Sequence, residues 1–330
     1  MARARIAVVA IVIVVAIVSA WGYYASPVER EEVLAKTKRV VVHGAISGGA
    51  LALLAVGFTL IYGVTDVINM GYGALAMLGA YLFFAFGPLG MYLQLEVLPA
   101  LILATILVGI AGLIIYRLCI HPVTGDPLAP LVTTIGVAVV IQQLMLVVFG
   151  SDYTPVFLLR PEPPPIEIWG ASVYYSRLLT FVASLVLFAC LWMFVTKTKI
   201  GGAMRAVAQD REVAMLMGIN TERLYMLTMV ISSSLVALAG ILIFSSAERV
   251  VTPFVWTRPL VMSFAVVILG GLGSIKGSLL GAFVVGYAER VVITFLPGGG
   301  ALTSLAYLGI MVLVLLLRPK GLFGKRIELE

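Results

Sequence analysis

Charge is scarce in this sequence. Only 12% of its 330 residues are Asp, Glu, Lys or Arg, and 62% are hydrophobic, whereas soluble globular chains contain about 25% charged and about 45–50% apolar residues. The mean hydropathy of +1.12 points the same way. So little charge excludes a disordered chain, a nucleic-acid-binding module and an ordinary soluble enzyme. The composition predicts an integral membrane protein that consists mostly of helices.

Residues that carry metal or catalytic chemistry are also few. The two cysteines, Cys119 and Cys190, lie in apolar stretches, where cysteine behaves as a small hydrophobic residue. Together with the two histidines, His43 and His121, they do not make a conventional zinc site. The sequence has no CxxC, HExxH, GxSxG or GxxxxGK(S/T) motif. We therefore expect no catalytic residue, no metal and no cofactor bound by this chain.

Apolar runs long enough to cross a bilayer recur along the chain, since a transmembrane helix needs about 20 apolar residues. The runs occupy residues 6–20, 41–64, 68–86, 95–117, 128–149, 178–196, 223–246, 259–272, 277–296 and 302–318. The eighth run is short, and the third contains glycines early in its length. The sequence thus predicts an all-α, polytopic bundle of about ten transmembrane helices, some of them short or broken.

The first apolar run allows two interpretations. Residues 6–20 follow a basic start and end in Val-Ser-Ala, as in a cleavable signal peptide. The run continues to about Tyr24 through aromatic residues typical of a membrane interface, which favours a retained helix. We therefore expect residues 1–39 to form an extra N-terminal transmembrane helix and a charged outer segment, residues 26–39, that lies as a surface helix. Residues 40–330 would form the main transmembrane domain.

Basic residues set the expected orientation. With the N-terminus inside, the greater share of the 22 Lys and Arg residues falls on inside segments, chiefly the loop at residues 197–223 and the C-terminal tail. This bias accounts for the net charge of +6 without a nucleic-acid partner. We expect a multi-pass protein of the cytoplasmic (inner) membrane of a prokaryote, with both termini in the cytoplasm.

The longest cytoplasmic loop has a helical pattern at residues 202–219. Asp210 is suited to cap a helical turn that begins directly after it, so two short helices fit the sequence as well as one. Gly218 suits a left-handed C-terminal position. Ala206, Asp210, Ala214 and Gly218 recur at four-residue steps and would line one helix face. The loop is either a plain connection between two spans or a docking element for a partner protein.

Several stretches resemble the branched-chain amino acid permease family of ABC importers. Residues 212–218, Glu-Val-Ala-Met-Leu-Met-Gly, are similar to the Glu-Ala-Ala-x-x-x-Gly loop of ABC importer permeases, with Val213 in place of the middle alanine. The other matching stretches are residues 53–63, 67–69, 130–136, 203–210, 217–219, 269–275 and 317–323. The resemblance extends over residues 43–324.

One stretch departs from the family pattern. Where the family often has Asn-(Phe/Met)-Ala-His-Gly-Glu, residues 69–74 read Asn-Met-Gly-Tyr-Gly-Ala. Asn69 and Gly73 carry over, but an ionisable role at Tyr72 and Ala74 does not. The methionine that follows Asn69 is slightly closer to the urea-permease branch of the family, which leaves urea or short amides open as substrates.

The resemblance implies a transmembrane permease subunit of an ABC importer that moves branched-chain or other hydrophobic amino acids. It implies that ATPase subunits, separate chains that bind ATP-Mg, dock on residues 202–219, so this chain is not itself an enzyme. The other implied partners are a second permease subunit (a related chain or a second copy), an extracytoplasmic substrate-binding protein and the lipid bilayer. An ATP-independent secondary transporter or channel is the less favoured alternative, because it would need more membrane acids than Glu289.

A zwitterionic substrate needs polar groups along its path through the membrane. The candidate pathway residues are Thr59, Tyr62, Asn69, Tyr72, Thr133, Thr134, Gln142 and Glu289. The expected ATPase-coupling residues are Ala206, Asp210, Glu212, Ala214 and Gly218. Each pathway candidate also has a structural interpretation, since a threonine in a membrane helix commonly bonds to its own helix and a buried asparagine can fasten a helix start.

Overall fold

The computed structural model describes residues 27–88, 92–123, 125–126, 128–159, 162–248 and 250–295, with 307–309, 311–312, 316 and 321. The helices of this part are α1 (Pro27–Thr65), α2 (Tyr72–Phe86), α3 (Val97–Ile115), α4 (Ala129–Phe149), α5 (Tyr175–Lys197), α6 (Lys199–Val207), α7 (Arg211–Leu216), α8 (Thr221–Ile243), α9 (Thr257–Gly270) and α10 (Ile275–Phe295). Helix α3 continues through a π-helical turn (Tyr116–Ile120) and a 3-10 turn (His121–Val123), and a π-helical turn (Phe244–Glu248) follows α8.

Six of these helices are long and apolar enough to cross a membrane: α1, α3 with its turns, α4, α5, α8 with its turn, and α10. Helices α2 and α9 are apolar but have only 15 and 14 residues, which is about 21–23 Å at the helical rise, less than the bilayer core. The predicted short eighth span is therefore confirmed, and the third predicted span, residues 68–86, begins as a helix only at Tyr72. The first predicted span lies outside the described residues and the tenth largely so, and the total of about ten stays a prediction.

The start of α1 differs from the expectation of a separate surface helix at residues 26–39. From Pro27 the chain forms one helix of 39 residues that enters the span without a break. The physical reason is that the segment contains no glycine or proline between Val28 and His43, and an ion pair of 2.7 Å between Lys36 and Glu32, one helical turn apart, supports it. The expected boundary at residue 40 falls inside this helix, and the division into two domains stays a prediction.

Four short strands connect the helices at one end of the bundle. Strand β1 (Thr154–Pro155) pairs antiparallel with β4 (Val250–Val251), and β2 (Ile166–Ile168) pairs antiparallel with β3 (Ala171–Val173). The β2–β3 turn consists of Trp169 and Gly170, both with positive φ (56° and 79°), as in the two-residue turns that match strand twist. The first pair ties the α4–α5 connection to the α8–α9 connection.

Helix α1 lies at the centre of the bundle. Of an 18-residue window of α1, 83% is buried, the largest share among the six long helices. Helix α10 packs closely along it, because a Cβ atom added to Gly286 would lie 2.6 Å from the backbone nitrogen of Gly48. In a bilayer the lipid is as apolar as the side chains, so close van der Waals approach through small residues holds helices together.

We predict that Gly286→Ala destabilises the protein by about 1–3 kcal/mol, because the added methyl group meets the backbone of α1, which has little room to move. Thermal unfolding in detergent measures the effect as a lower melting temperature. The matched control is Gly136→Ala in α4, since an added Cβ there has no heavy atom of the described residues within 4 Å. A melting temperature of Gly286→Ala equal to that of this control would contradict the packing described.

Candidate functional site

Two predicted pathway residues fasten the start of α2. The backbone nitrogen of Gly71 donates to Asn69 Oδ1 (2.9 Å), and that of Met70 donates to Thr134 Oγ1 (3.0 Å). The structure therefore brings Asn69 and Thr134 together between α2 and α4, both fully buried. Asn69 Nδ2 is buried and donates no hydrogen bond within the described residues, which leaves it as the group of this cluster able to bind water or a substrate.

Other predicted pathway residues bond to the protein itself. The hydroxyl of Thr59 donates to Ala55 O (2.9 Å) and lies within hydrogen-bond distance of the Ser278 hydroxyl. The hydroxyl of Tyr72 donates to Leu54 O (2.8 Å), between α2 and α1. These two side chains are buried and tie helices together, so their polar groups are satisfied in this conformation.

The three remaining candidates outside α10 lie apart from one another. Thr133 donates to Ala129 O of its own helix (2.8 Å), and Tyr62 lies beside Asp66 at the end of α1. Gln142 accepts a hydrogen bond from the indole of Trp256. The structure therefore divides the predicted set over several places, and the role of each as a pathway residue stays a prediction.

Glu289 lies in a cavity where five helices converge. Only 5% of the residue is exposed, and its Oε1 lies 4.0 Å from the guanidinium of Arg258. The polar and charged side chains that line the cavity are His43, Ser47, Arg177, Thr180, Ser246, Arg258, Glu289 and Arg290. Arg290 Nε donates to Ser47 Oγ (2.8 Å), and Arg177 Nε donates to Ser246 O (3.4 Å). These bonds position two of the guanidiniums at the wall of the cavity.

The sequence singled out Glu289 but missed the three arginines around it. Arg177 and Arg258 stand near the ends of apolar runs, where the distribution of Lys and Arg over the two sides of the membrane explains them as ordinary outside charges. Arg290 stands next to Glu289, and the sequence assigns it no role. The adjacency of an acid and a base in an apolar run was the available signal. The approach of α5 and α9 to the same point is a tertiary feature, which no local pattern indicates.

The cavity and the predicted docking loop lie at opposite ends of the bundle. The cavity is at the end where α5 and α9 begin and α8 finishes. Helices α6 and α7 lie at the other end, between the last residue of α5, Lys197, and the first of α8, Thr221. Helices α5 and α8 run between the two ends, so each contacts both sites.

The loop forms two short helices, α6 and α7, and not one continuous helix. Asp210 Oδ1 accepts a hydrogen bond from the backbone nitrogen of Val213 (3.0 Å) and so caps α7 as predicted. Gly218 has φ of 83° and ends the loop in the left-handed conformation, also as predicted. Asn220 then caps α8 by accepting from the backbone nitrogen of Arg223 (3.0 Å).

The expectation that Ala206, Asp210, Ala214 and Gly218 share one helix face is wrong. Helix α6 ends at Val207 and a separately capped helix follows, so the four-residue steps do not stay in register. Ala214 is 3% exposed and faces the protein, whereas Asp210, Glu212 and Gly218 are exposed. Apolar side chains of the segment are exposed beside these polar residues: Val213, Met215, Leu216 and Met217, the last two at 86% and 79%.

Charged contacts connect this loop to the ends of the spans. The guanidinium of Arg211, the first residue of α7, lies 5.4 Å from the ring centre of Tyr225 in α8, within the range of a cation–π interaction. Arg117, in the π-helical turn after α3, forms an ion pair with Glu222 of α8. These contacts link α7 to α8 and link α8 to the turn that follows α3.

We predict that Asp210→Ala frays the first turn of α7 and destabilises the loop by about 0.5–2 kcal/mol, because the cap of the Val213 amide is lost. Hydrogen exchange of the amides of α7 measures this as faster exchange. Asp210→Ser is the matched control, since serine caps equally well. Equal exchange rates for the alanine and serine variants would contradict the capping role.

Comparison with known proteins identifies the family. The family described as "Branched-chain amino acid transport system / permease component" matches residues 40–315. The branched-chain amino acid permease protein BraD of Pseudomonas aeruginosa is 30% identical over 294 residues, which cover 86% of this chain and 95% of BraD. LivH of Escherichia coli K12 is 28% identical over 86% of this chain and 94% of LivH. LivM of the same organism is 24% identical over 82% of this chain and 67% of LivM.

Among solved structures, PsaBC from Streptococcus pneumoniae in complex with Fab aligns over 85% of this chain and 92% of that chain. The TM-score is 0.48 and the identity is 13%, which is too weak a likeness to indicate a shared fold or function. The apolar helices and the relatives together indicate a multi-pass membrane protein. Since the matched region covers most of the sequence, this chain belongs to the permease-component family of branched-chain amino acid transport systems.

Proposed function

We propose that this chain is the membrane-spanning subunit of an ABC importer for branched-chain amino acids. The observation that carries the proposal is α7, a short helix anchored by buried Ala214 and capped by Asp210, with Leu216 and Met217 exposed outside the long apolar helices. An apolar patch on a fixed, partly charged segment outside the spans is typical of a protein-binding surface. We assign this patch to the ATPase subunit.

In this mechanism the ATPase subunits bind ATP-Mg and hydrolyse it, and this chain responds by moving. A push on α7 reaches α8 through Arg211 and Tyr225 and reaches α3 through the Arg117–Glu222 ion pair. Helix α8 extends to the cavity at the opposite end, where Ser246 accepts a hydrogen bond from Arg177. The same helix thus connects the ATPase surface to the charged cavity, which is what alternating access requires.

The substrate assignment rests on the relatives and on the cavity. BraD and LivH are named as permeases of high-affinity branched-chain amino acid systems. An amino acid is a zwitterion, and a cavity with both a carboxylate and guanidiniums suits it better than it suits neutral urea or a short amide. We therefore propose branched-chain amino acids as the substrates.

The proposed orientation follows from the assignment of the α7 patch to the ATPase subunit, which lies in the cytoplasm. With α6 and α7 in the cytoplasm, the cavity and the β2–β3 hairpin face the outside of the cytoplasmic membrane. The sequence-predicted first and tenth spans, residues 6–20 and 302–318, would then place both termini in the cytoplasm. The hairpin is part of the α4–α5 connection and presents Trp169, which is 68% exposed. We propose this end as the surface that receives the substrate-binding protein.

A second permease subunit completes the proposed importer. The chain is similar to both LivH and LivM, two permease proteins of Escherichia coli, so the partner is either a related chain or a second copy. Gln143 of α4 is exposed within a 21-residue apolar helix, and an exposed amide at that depth favours a protein neighbour over lipid. In a purified complex we expect two permease chains for each pair of ATPase chains.

We predict that vesicles containing the complete complex take up leucine when ATP is supplied on the ATPase side, and that urea does not compete. The double variant Leu216→Glu with Met217→Glu should lower uptake at least tenfold and release the ATPase. Substituting a central apolar side chain of a protein interface lowers the binding free energy by about 2 kcal/mol for each residue. Radiolabelled uptake and co-purification of the ATPase measure the two effects.

The matched control is the double variant Ala208→Glu with Gln209→Glu, which adds the same two negative charges at exposed positions between α6 and α7. Its uptake should equal that of the unaltered complex. Leucine uptake that persists without the ATPase would refute the importer. Full uptake by the double variant would show that the loop only connects two spans.

A further inference from the structure

The cavity around Glu289 is lined by charged side chains, which the packing of apolar helices does not require. Its lining includes one carboxylate and three guanidiniums, contributed by α5, α9 and α10. Charged side chains within a membrane bundle are costly and mark functional sites. Glu289 is buried, and the side chain of Arg258 is 38% exposed. Replacing buried charges by apolar residues often leaves stability unchanged or improves it, so packing alone gives no reason for Glu289 to lie here.

The charges are arranged for a ligand with an anionic group. Among the described lining residues, the cationic groups of Arg177, Arg258 and Arg290 outnumber the one carboxylate of Glu289. The Arg258–Glu289 distance of 4.0 Å is longer than the ~2.7–2.9 Å of a direct charge-assisted hydrogen bond. The contact is therefore looser than a direct charge-assisted hydrogen bond, so a ligand that separates the two side chains replaces a weak contact between them.

The cavity is also lined by apolar side chains. They come from α1, the end of α8 and α9: Ile46, Leu51, Ile243, Phe244 and Met262. The cavity offers about 80 Å³ to the centres of water molecules, against ~10–15 Å³ for one water. That space is enough for a carboxylate and an ammonium group, and the apolar lining suits a branched side chain.

We propose that this cavity binds the charged end of an amino acid with an apolar side chain. The guanidiniums of Arg258 and Arg290 receive the α-carboxylate, and the carboxylate of Glu289 receives the α-ammonium group. Arg177 and Ser47 hold the geometry through their hydrogen bonds to the end of α8 and to α10. The inference rests on the proposed function, because it assigns the substrate-recognition residues of that importer.

The first test uses the unaltered complex and three probes of one shape: L-leucine, leucinamide and 4-methylpentanoate. Leucinamide lacks the carboxylate, and 4-methylpentanoate lacks the ammonium group. In nanodiscs without binding protein, we expect leucine to displace labelled leucine at least tenfold more effectively than either analogue, since each analogue leaves a charged partner unmatched. Equal displacement by all three probes would overturn the proposal.

The second test assigns the groups to residues. Arg258→Gln should weaken leucine binding at least tenfold, whereas Glu289→Gln should make 4-methylpentanoate bind as well as leucine. The matched control is Arg223→Gln, which removes a positive charge from exposed residue 223 of α8 at the opposite end of the bundle, outside the cavity lining, and should change binding less than twofold. If Arg258→Gln and Glu289→Gln weaken leucine and both analogues by one common factor, the pair is a structural latch and the proposal is wrong.

Failure of this inference and failure of the proposed function give different results. ATP-driven leucine uptake by the unaltered complex tests the function, and the probe series tests the cavity. Uptake that continues while the probes are not distinguished places recognition elsewhere in the importer and overturns only the inference. Absence of leucine uptake, with vesicles and ATPase intact, refutes the function itself.

Discussion

The close approach of α1 and α10 is the contact on which the rest of the structure depends. Gly48 and Gly286 bring the two backbones so near that a Cβ atom on Gly286 would lie 2.6 Å from Gly48 N. In a membrane such packing replaces the hydrophobic effect as the source of helix association. It also sets Ser47 beside Arg290, at a hydrogen bond of 2.8 Å, so the packing of the centre determines the geometry of the charged cavity.

A charged cavity and an exposed apolar patch lie at opposite ends of the bundle and are joined by long helices. At one end Arg177, Arg258, Glu289 and Arg290 surround a cavity, and at the other end short capped helices present an apolar patch. Helix α8 has contacts at both: its cap Asn220 lies in the loop, and its final turn accepts a hydrogen bond at Ser246 O. A rigid helix with partners at both ends is the simplest link between an ATPase and a substrate cavity.

Features that depend on neighbouring residues were predictable from the sequence. The cap at Asp210 needs an acceptor directly before a helix, the left-handed turn needs Gly218, and the short α9 follows from a short apolar run. Features that depend on distant segments were not. The predicted helix face shared by Ala206, Asp210, Ala214 and Gly218 is wrong because a new helix, capped by Asp210, begins in the middle of the segment. The arginines of the cavity come from three helices, and only tertiary packing brings these helices together. The buried bonds of Tyr72 and Thr59 likewise require partners on other helices.

The central claim is that the cavity faces outward and α7 faces the cytoplasm, and cysteine labelling tests it most directly. With Cys119 and Cys190 replaced by alanine, a single cysteine is placed at exposed Ser172 of β3 or at exposed Gln209 between α6 and α7. In spheroplasts a membrane-impermeant maleimide should label Ser172→Cys at once and label Gln209→Cys only after permeabilisation. Labelling of Gln209→Cys in intact spheroplasts, with Ser172→Cys protected, would contradict the orientation and the mechanism built on it.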